Sequence, residues 1–219
     1  MTRPPFRHWH TPAALILLSL IPIIAGALRV AEIASDLAPT PDNARFLVAP
    51  MAIYLHAGGG SLYLLLGALQ FYKPLRMKWP RWHRIMGRVL VLAGTLAAVA
   101  GLWMTQTFPA APGNPDMLYG FRITFGLGWI LCLGFGLLAA MRRDIPTHRA
   151  WMMRGYAIGL GAGTTVLTFG FWIVIGGTDT PEVNALAIFA AWVLNLAVAE
   201  ILIQRSTRKR PLQLTREFI

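Results

Sequence analysis

The chain has 219 residues, 56% hydrophobic and only 13% charged, with a mean hydropathy of +0.54. A soluble domain carries roughly a quarter charged residues, so much of this surface is built to face something other than water. The net charge of +11 does not point to nucleic acid, because the basic residues fall in short segments between long apolar runs and not along one face of a domain.

About 20 apolar residues cross the roughly 30 Å hydrocarbon core of a bilayer. In chain order, the runs 12–33, 51–72, 85–106, 119–141, 150–176 and 183–204 match that length. Turn-rich or charged stretches separate them: 38–42, Lys73 to Arg84, Pro109 to Pro115, Arg142 to Thr147 and Gly177 to Glu182. No gap is long enough for a second domain. The expected fold is all-α: one polytopic transmembrane domain over 1–219, a bundle of six transmembrane helices, ending in a basic tail at 205–219.

Orientation follows from the loops. Arg3, Arg7, Lys73, Arg76, Lys78, Arg81, Arg84, Arg88, Arg142, Arg143, Arg149, Arg205, Arg208, Lys209, Arg210 and Arg216 all fall on one side, and Arg45 alone falls in a loop on the other. Glu32, Asp36, Asp42, Asp116, Asp179 and Glu182 occupy that other side. By the positive-inside rule both termini are expected in the cytoplasm, the expected location is an inner, cytoplasmic membrane, and the lipid bilayer is the expected partner. The basic tail reads as a topology anchor touching anionic lipid. One alternative stays open at the start: Ala25-Gly26-Ala27 resembles a signal-peptide cleavage site, which would leave five helices.

Glycine recurs at Gly87, Gly94 and Gly101 on the third run and at Gly155, Gly159 and Gly163 on the fifth, each set near one helix face. Small-residue faces let helices approach closely in lipid; the same faces would leave clearance for a flat cofactor. Cys132, the only cysteine, lies inside an apolar run and reads as a small buried side chain, excluding an intrachain disulfide.

Ionisable groups inside a membrane are expensive, so each is a functional candidate. Arg154 and Glu200 share a depth near the cytoplasmic ends of the fifth and sixth runs and suit a structural ion pair. Arg29 and Arg122, near the outer ends of the first and fourth, would be satisfied by snorkelling to headgroups. Asn195 suits a bond to a neighbouring helix. His8 and His10 read as solvated, whereas His56 lies within the second run on a face shared with Gly60, Tyr63 and Gly67.

His83 and His148 stand at the cytoplasmic mouths of two helices running in the same direction, each followed by arginine. Two imidazoles at one level suit bis-histidine ligation of iron. On that reading the metal ligands are His83 and His148, the cofactor is haem b, and His56 and Arg154 are further cofactor-binding candidates. His56 itself lies near the opposite side and cannot share the iron.

The chain resembles the predicted bacterial membrane proteins grouped as domain of unknown function 2306. The resemblance rests on His56 followed by Gly59, Gly60, Gly67 and Ala68-Leu69-Gln70-Phe71, on Trp82-His83-Arg84-Ile85-Met86-Gly87-Arg88, and on His148-Arg149-Ala150-Trp151-Met152-Met153-Arg154-Gly155-Tyr156. It implies a multi-pass topology and singles out His56, His83, His148 and Arg154; it implies no reaction, and the catalytic residues are unknown. The sequence contains no phosphate-binding P-loop, no His-Glu-x-x-His and no Cys-x-x-Cys-His. Two functions stand: a haem b redox protein, or a non-redox small-molecule carrier or interaction protein. Against a carrier, no run is visibly broken at mid-membrane. Self-association and a redox partner are both left open.

Overall fold

The computed structural model describes residues 9–35, 38–40, 43–109 and 113–208. Among them every regular element is helical: α1 (His10–Ala34), a 3₁₀ turn (Ala44–Val48), α2 (Pro50–Gln70), α3 (Lys73–Lys78), α4 (Pro80–Thr107), α5 (Asp116–Met141), α6 (Ile145–Gly159), α7 (Gly161–Val174) and α8 (Pro181–Arg208). Five helices are long and apolar enough to cross a membrane, and six spans result when α6 and α7 count as one bent span.

Proline marks most of the starts. Pro50 and Pro80 open α2 and α4, Pro181 opens α8, and Pro74 and Pro146 sit in the first turns of α3 and α6. A first-turn proline forfeits an N–H that would be unpaired anyway. Asp144 caps α6 by accepting the Thr147 N–H at 3.1 Å. Hydrogen bonds from the Thr147 side chain and backbone hold its carboxyl below the ordinary aspartate range.

Three boundaries differ from the sequence expectation. The stretch Lys73 to Arg84 is not all loop: α3 occupies its first half, and α4 begins at Pro80, which places His83 and Arg84 on the helix. The sixth span continues to Arg208, so the tail begins later than 205; Lys209 to Ile219, like Arg3, Arg7 and His8, lie outside the described residues. The third difference is the break in the fifth span. The run 150–176 is read as one helix despite Gly155, Gly159, Gly161 and Gly163, yet α6 and α7 meet at Leu160 with a bend of 53°.

The bend has an identifiable cause. In a straight helix the Ala157 carbonyl would accept the Gly161 N–H. Here the Asn195 Nδ2 of α8 donates to that carbonyl at 3.1 Å, while the Thr164 hydroxyl of α7 donates to Asn195 Oδ1 at 2.9 Å. A side chain inserted into the hydrogen-bond ladder is a recognised origin of kinks. In lipid it also keeps the freed backbone group paired. Asn195 thus fastens both halves of the broken span to α8.

The helices form a closed ring. α2 packs on α1 and α4, α4 on α5, α5 on α6, α6 on α8, α8 on α7, and α7 returns to α1. Small residues allow these approaches: Ala52, Ala68 and Ala97 are fully buried, and a Cβ at Gly59 would stand 2.7 Å from the Ala93 carbonyl oxygen. The core gathers Tyr63, Leu64, Trp129, Leu133 and Tyr156. Tyr63 fills the space beside Gly94 and Gly159, and Tyr156 lies against Gly67, so these glycine faces receive aromatic rings from neighbouring helices. Large apolar side chains cover the outside, with Leu17, Leu28, Leu92 and Val174 each at least 60% exposed. Lipid is the solvent such a surface requires.

Trp9 at the start of α1 packs edge-on against Tyr72 after α2, with ring centroids 5.0 Å apart. The α3 segment, the start of α4, the α5–α6 turn and the end of α8 therefore share one face, which carries Lys73, Arg76, Lys78, Arg81, Arg84, Arg142, Arg143, Arg149 and Arg205. This is the basic face. The 3₁₀ turn and the α4–α5 and α7–α8 connections lie at the opposite face.

Candidate functional site

The bend decides where the bundle is hollow. Toward the basic face α6 packs closely on α5. A methyl at Gly136 would collide with the Met152 side chain, and the His148 Nδ1–H donates to the Gly136 carbonyl at 2.8 Å. Beyond Leu160 the chain turns away, and α7 packs on α8 and α1. There lies a cavity of about 810 Å³ whose lining extends to residues at the face opposite the basic one. Sites for small organic ligands span about 300–1,000 Å³ and are chiefly apolar with a few convergent polar groups.

Every long helix contributes to its wall. The floor, near the bend, is apolar and aromatic: Leu64, Trp129, Ile158 and Trp192. Phe125 stacks on Trp192 with centroids 4.5 Å apart. The rim carries Arg29 from α1, Arg45 from the 3₁₀ turn and Arg122 from α5, with Asp116 and Tyr119 beside them. Arg122 to Trp129 is seven residues of one helix, so rim and floor are separated by about 10 Å at 1.5 Å per residue.

His56 stands on the wall between rim and floor. Its Nδ1–H donates to the Ala97 carbonyl of α4 at 2.8 Å, and the absent side chain of Gly101 lets the ring lie flat against that helix. The anchored Nδ1 leaves Nε2 as the free ring nitrogen. Although His56 is surrounded by protein, its ring surface is open to the cavity. Ser61, Thr105 and Thr165 add hydroxyls to the same wall. Thr105 and Thr165 donate back to their own helices, to the carbonyls of Gly101 and Gly161.

The three rim arginines are not alike. Arg29 donates to Glu32 and lies over the Phe46 ring at 4.1 Å. Arg45 covers the same ring at 4.5 Å. Arg122 forms no hydrogen bond or ion pair among the described residues, and it is close enough to Arg45 for the two to repel. Arg29 and Arg122, placed by sequence near the outer ends of their helices, both reach the cavity lining.

The residues singled out at the basic face form a separate region. Arg154 of α6 grips Glu200 of α8 with two bonds, Nε to Oε1 at 2.5 Å and Nη2 to Oε2 at 3.0 Å, and lies over the Trp151 ring at 4.8 Å. His83, in the first turn of α4, has a buried Nδ1 without a partner among the described residues. His83 and His148 are within electrostatic range of each other. Gln70 at the end of α2 is likewise buried with both amide atoms unpartnered. Cys132 is buried and free. Neither this region nor the cavity gathers three or more His, Cys, Asp or Glu side chains in a metal-binding group among the described residues.

Sequence reasoning missed the cavity as a whole. It gave the depth of His56, Arg29 and Arg122 but not their direction around each helix, and it read the glycines around Leu160 as a packing face and not as the bend that separates α7 from α5. One signal was present. Arg29, Arg45 and Arg122 all lie toward the side where the positive-inside rule makes cations scarce. Cations held against that gradient are candidates for binding rather than topology.

No curated protein and no solved structure matches the chain. Residues 53–203, from α2 to near the end of α8, match the family model described as a predicted membrane protein, DUF2306. The basic-face histidines, the wall histidine His56 and the broken span all fall within that stretch, and the chain belongs to this family of multi-pass helical membrane proteins.

Proposed function

We propose that the protein is a multi-pass protein of the bacterial inner membrane, with its basic face in the cytoplasm, that binds a small, largely apolar molecule in a cavity open to the outer side. The observation that carries this reading is the cavity of about 810 Å³ produced by the bend at Leu160. Its volume, aromatic floor and few polar wall groups match the general form of a small-molecule site. The broken span supports the carrier form of the reading, since discontinuous helices near the membrane midplane are how many transporters build their binding sites.

Filling the cavity tests it. Ala162 on α7 is exposed to the cavity, and Ala162→Trp would occupy the floor. Solvent extracts of purified wild type and variant, compared by mass spectrometry, should differ by a small apolar species present at near one equivalent only in the wild type. Extracts that are identical, from variants of equal thermal stability, would overturn the reading.

A second reading, haem b held between His83 and His148, draws on one observation: His83 keeps a buried Nδ1 unpartnered, while His148 is oriented through its own Nδ1 as second-shell bonds orient ligating histidines. Bound there, haem would supply one-electron chemistry near the basic face. A reduced-minus-oxidised spectrum of protein expressed with ample haem decides it: a b-type signal lost in His83→Ala supports the reading, and a colourless wild type removes it.

A further inference from the structure

The rim of the cavity is chemically unlike its floor, and the contrast specifies a ligand. Arg29, Arg45 and Arg122 reach the mouth from three separate chain segments, and among the described residues Asp116 is the one acidic residue on the lining. Arg29 is already neutralised by Glu32. Arg45 and Arg122 repel each other and have no carboxylate paired with them among the described residues. Two guanidiniums with no carboxylate paired with them among the described residues make the mouth a positive site that attracts an anion. Guanidinium geometry suits a phosphate or carboxylate through paired N–H donors.

Below them the wall loses its charge. His56 and the hydroxyls of Ser61 and Thr105 come next, then the aromatic and aliphatic floor of Trp129, Trp192 and Leu64. Across roughly 10 Å, about seven helical residues, the site changes from cationic to apolar. A free inorganic anion would leave the floor empty; a plain hydrocarbon would leave Arg45 and Arg122 unpaired.

Resting on the reading of the cavity as a ligand site, we propose that it takes a single-chain amphiphile with an anionic phosphate or carboxylate head. The head lies between Arg45 and Arg122, and the chain runs past His56 toward Trp129 and Trp192. Either a membrane lipid entering from the outer leaflet or a soluble anionic amphiphile has this chemistry.

Full-length protein in a neutral maltoside detergent, with bound probe counted by native mass spectrometry, tests the assignment. The probes are dodecyl phosphate, dodecanol and inorganic phosphate. Wild type should prefer dodecyl phosphate over dodecanol by about tenfold or more, the scale of one charge-assisted contact, and should retain no inorganic phosphate. Arg122→Gln and Arg45→Gln should each reduce that preference severalfold, whereas Arg205→Gln on the basic face should not. Equal binding of dodecyl phosphate and dodecanol would overturn the anionic head and leave the cavity reading intact. Retention of inorganic phosphate as tightly as dodecyl phosphate would overturn the requirement for a chain. Failure of both chain-bearing probes would remove the cavity reading along with this one. Repeating the wild-type measurement in discs of phosphatidylcholine alone or with added lysophosphatidic acid, a single-chain lipid, separates the sources. Occupancy of the site by lysophosphatidic acid, displacing dodecyl phosphate, marks a lipid, and undiminished dodecyl phosphate binding marks a soluble amphiphile.

Discussion

Arg154 and Glu200 show how a polar pair is tolerated within apolar helices. Two parallel bonds and the Trp151 face satisfy the guanidinium, and the pair joins α6 to the last turns of α8. Its side chains are 26% and 40% exposed, so solvent screens part of the attraction. Removing one partner strands the other charge, which costs more than removing both. Glu200→Gln or Arg154→Met alone should therefore destabilise the protein by about 1 kcal/mol, the discounted scale for a partly exposed pair. The double variant should lose less than the sum of the two. Thermal unfolding in detergent measures the cycle, and additive losses would show that the pair contributes no coupling.

Among elements, the α6–α7 break holds the most consequence. Asn195 donates to Ala157 and accepts from Thr164, and Thr168 adds a bond from α7 to the Ala187 carbonyl of α8 at 2.8 Å. Asn195→Leu keeps the bulk but leaves the Ala157 carbonyl without its side-chain donor. An unsatisfied buried group costs about 1–3 kcal/mol, and the ladder can recover it only by straightening toward an Ala157–Gly161 bond. The variant should lose stability on that scale and also lose binding to the cavity, read together by thermal unfolding with and without dodecyl phosphate. A variant that binds normally would show that Asn195 does not set the bend.

The same element marks the limit of what sequence shows. Six apolar runs and their alternating direction are visible because hydrocarbon imposes length and apolarity on each helix separately. Starts at Pro50, Pro80 and Pro181 carry a local signal. The bend is less legible: Gly159, Gly161 and Gly163 flank it, but the side chain that clasps it sits on α8, nearly forty residues away in the chain, and only packing brings Asn195 to Ala157. The cavity inherits that difficulty. Arg29, Arg45, Arg122 and His56 were each visible as costly polar residues, but their convergence depends on where α7 does not pack. Arg154 and Glu200 were easier, since a matched depth and opposite charge suffice to suggest a pair.

For the whole molecule, the account requires an aqueous or headgroup-accessible hollow inside the bundle, reached from the face opposite the basic loops. Ser61 lies on its wall, while Leu127 of α5 faces outward with half its surface exposed. Cys132 is buried and the only native thiol, so Cys132→Ala supplies a clean background for single cysteines. A membrane-impermeant maleimide applied to intact cells and to inside-out vesicles is the most direct measurement. Ser61→Cys should react from the outer side, be shielded by dodecyl phosphate, and stay unlabelled in inside-out vesicles, with Leu127→Cys unreactive in both. Labelling of Ser61→Cys from the cytoplasmic side alone, or its silence in both preparations, would contradict the account.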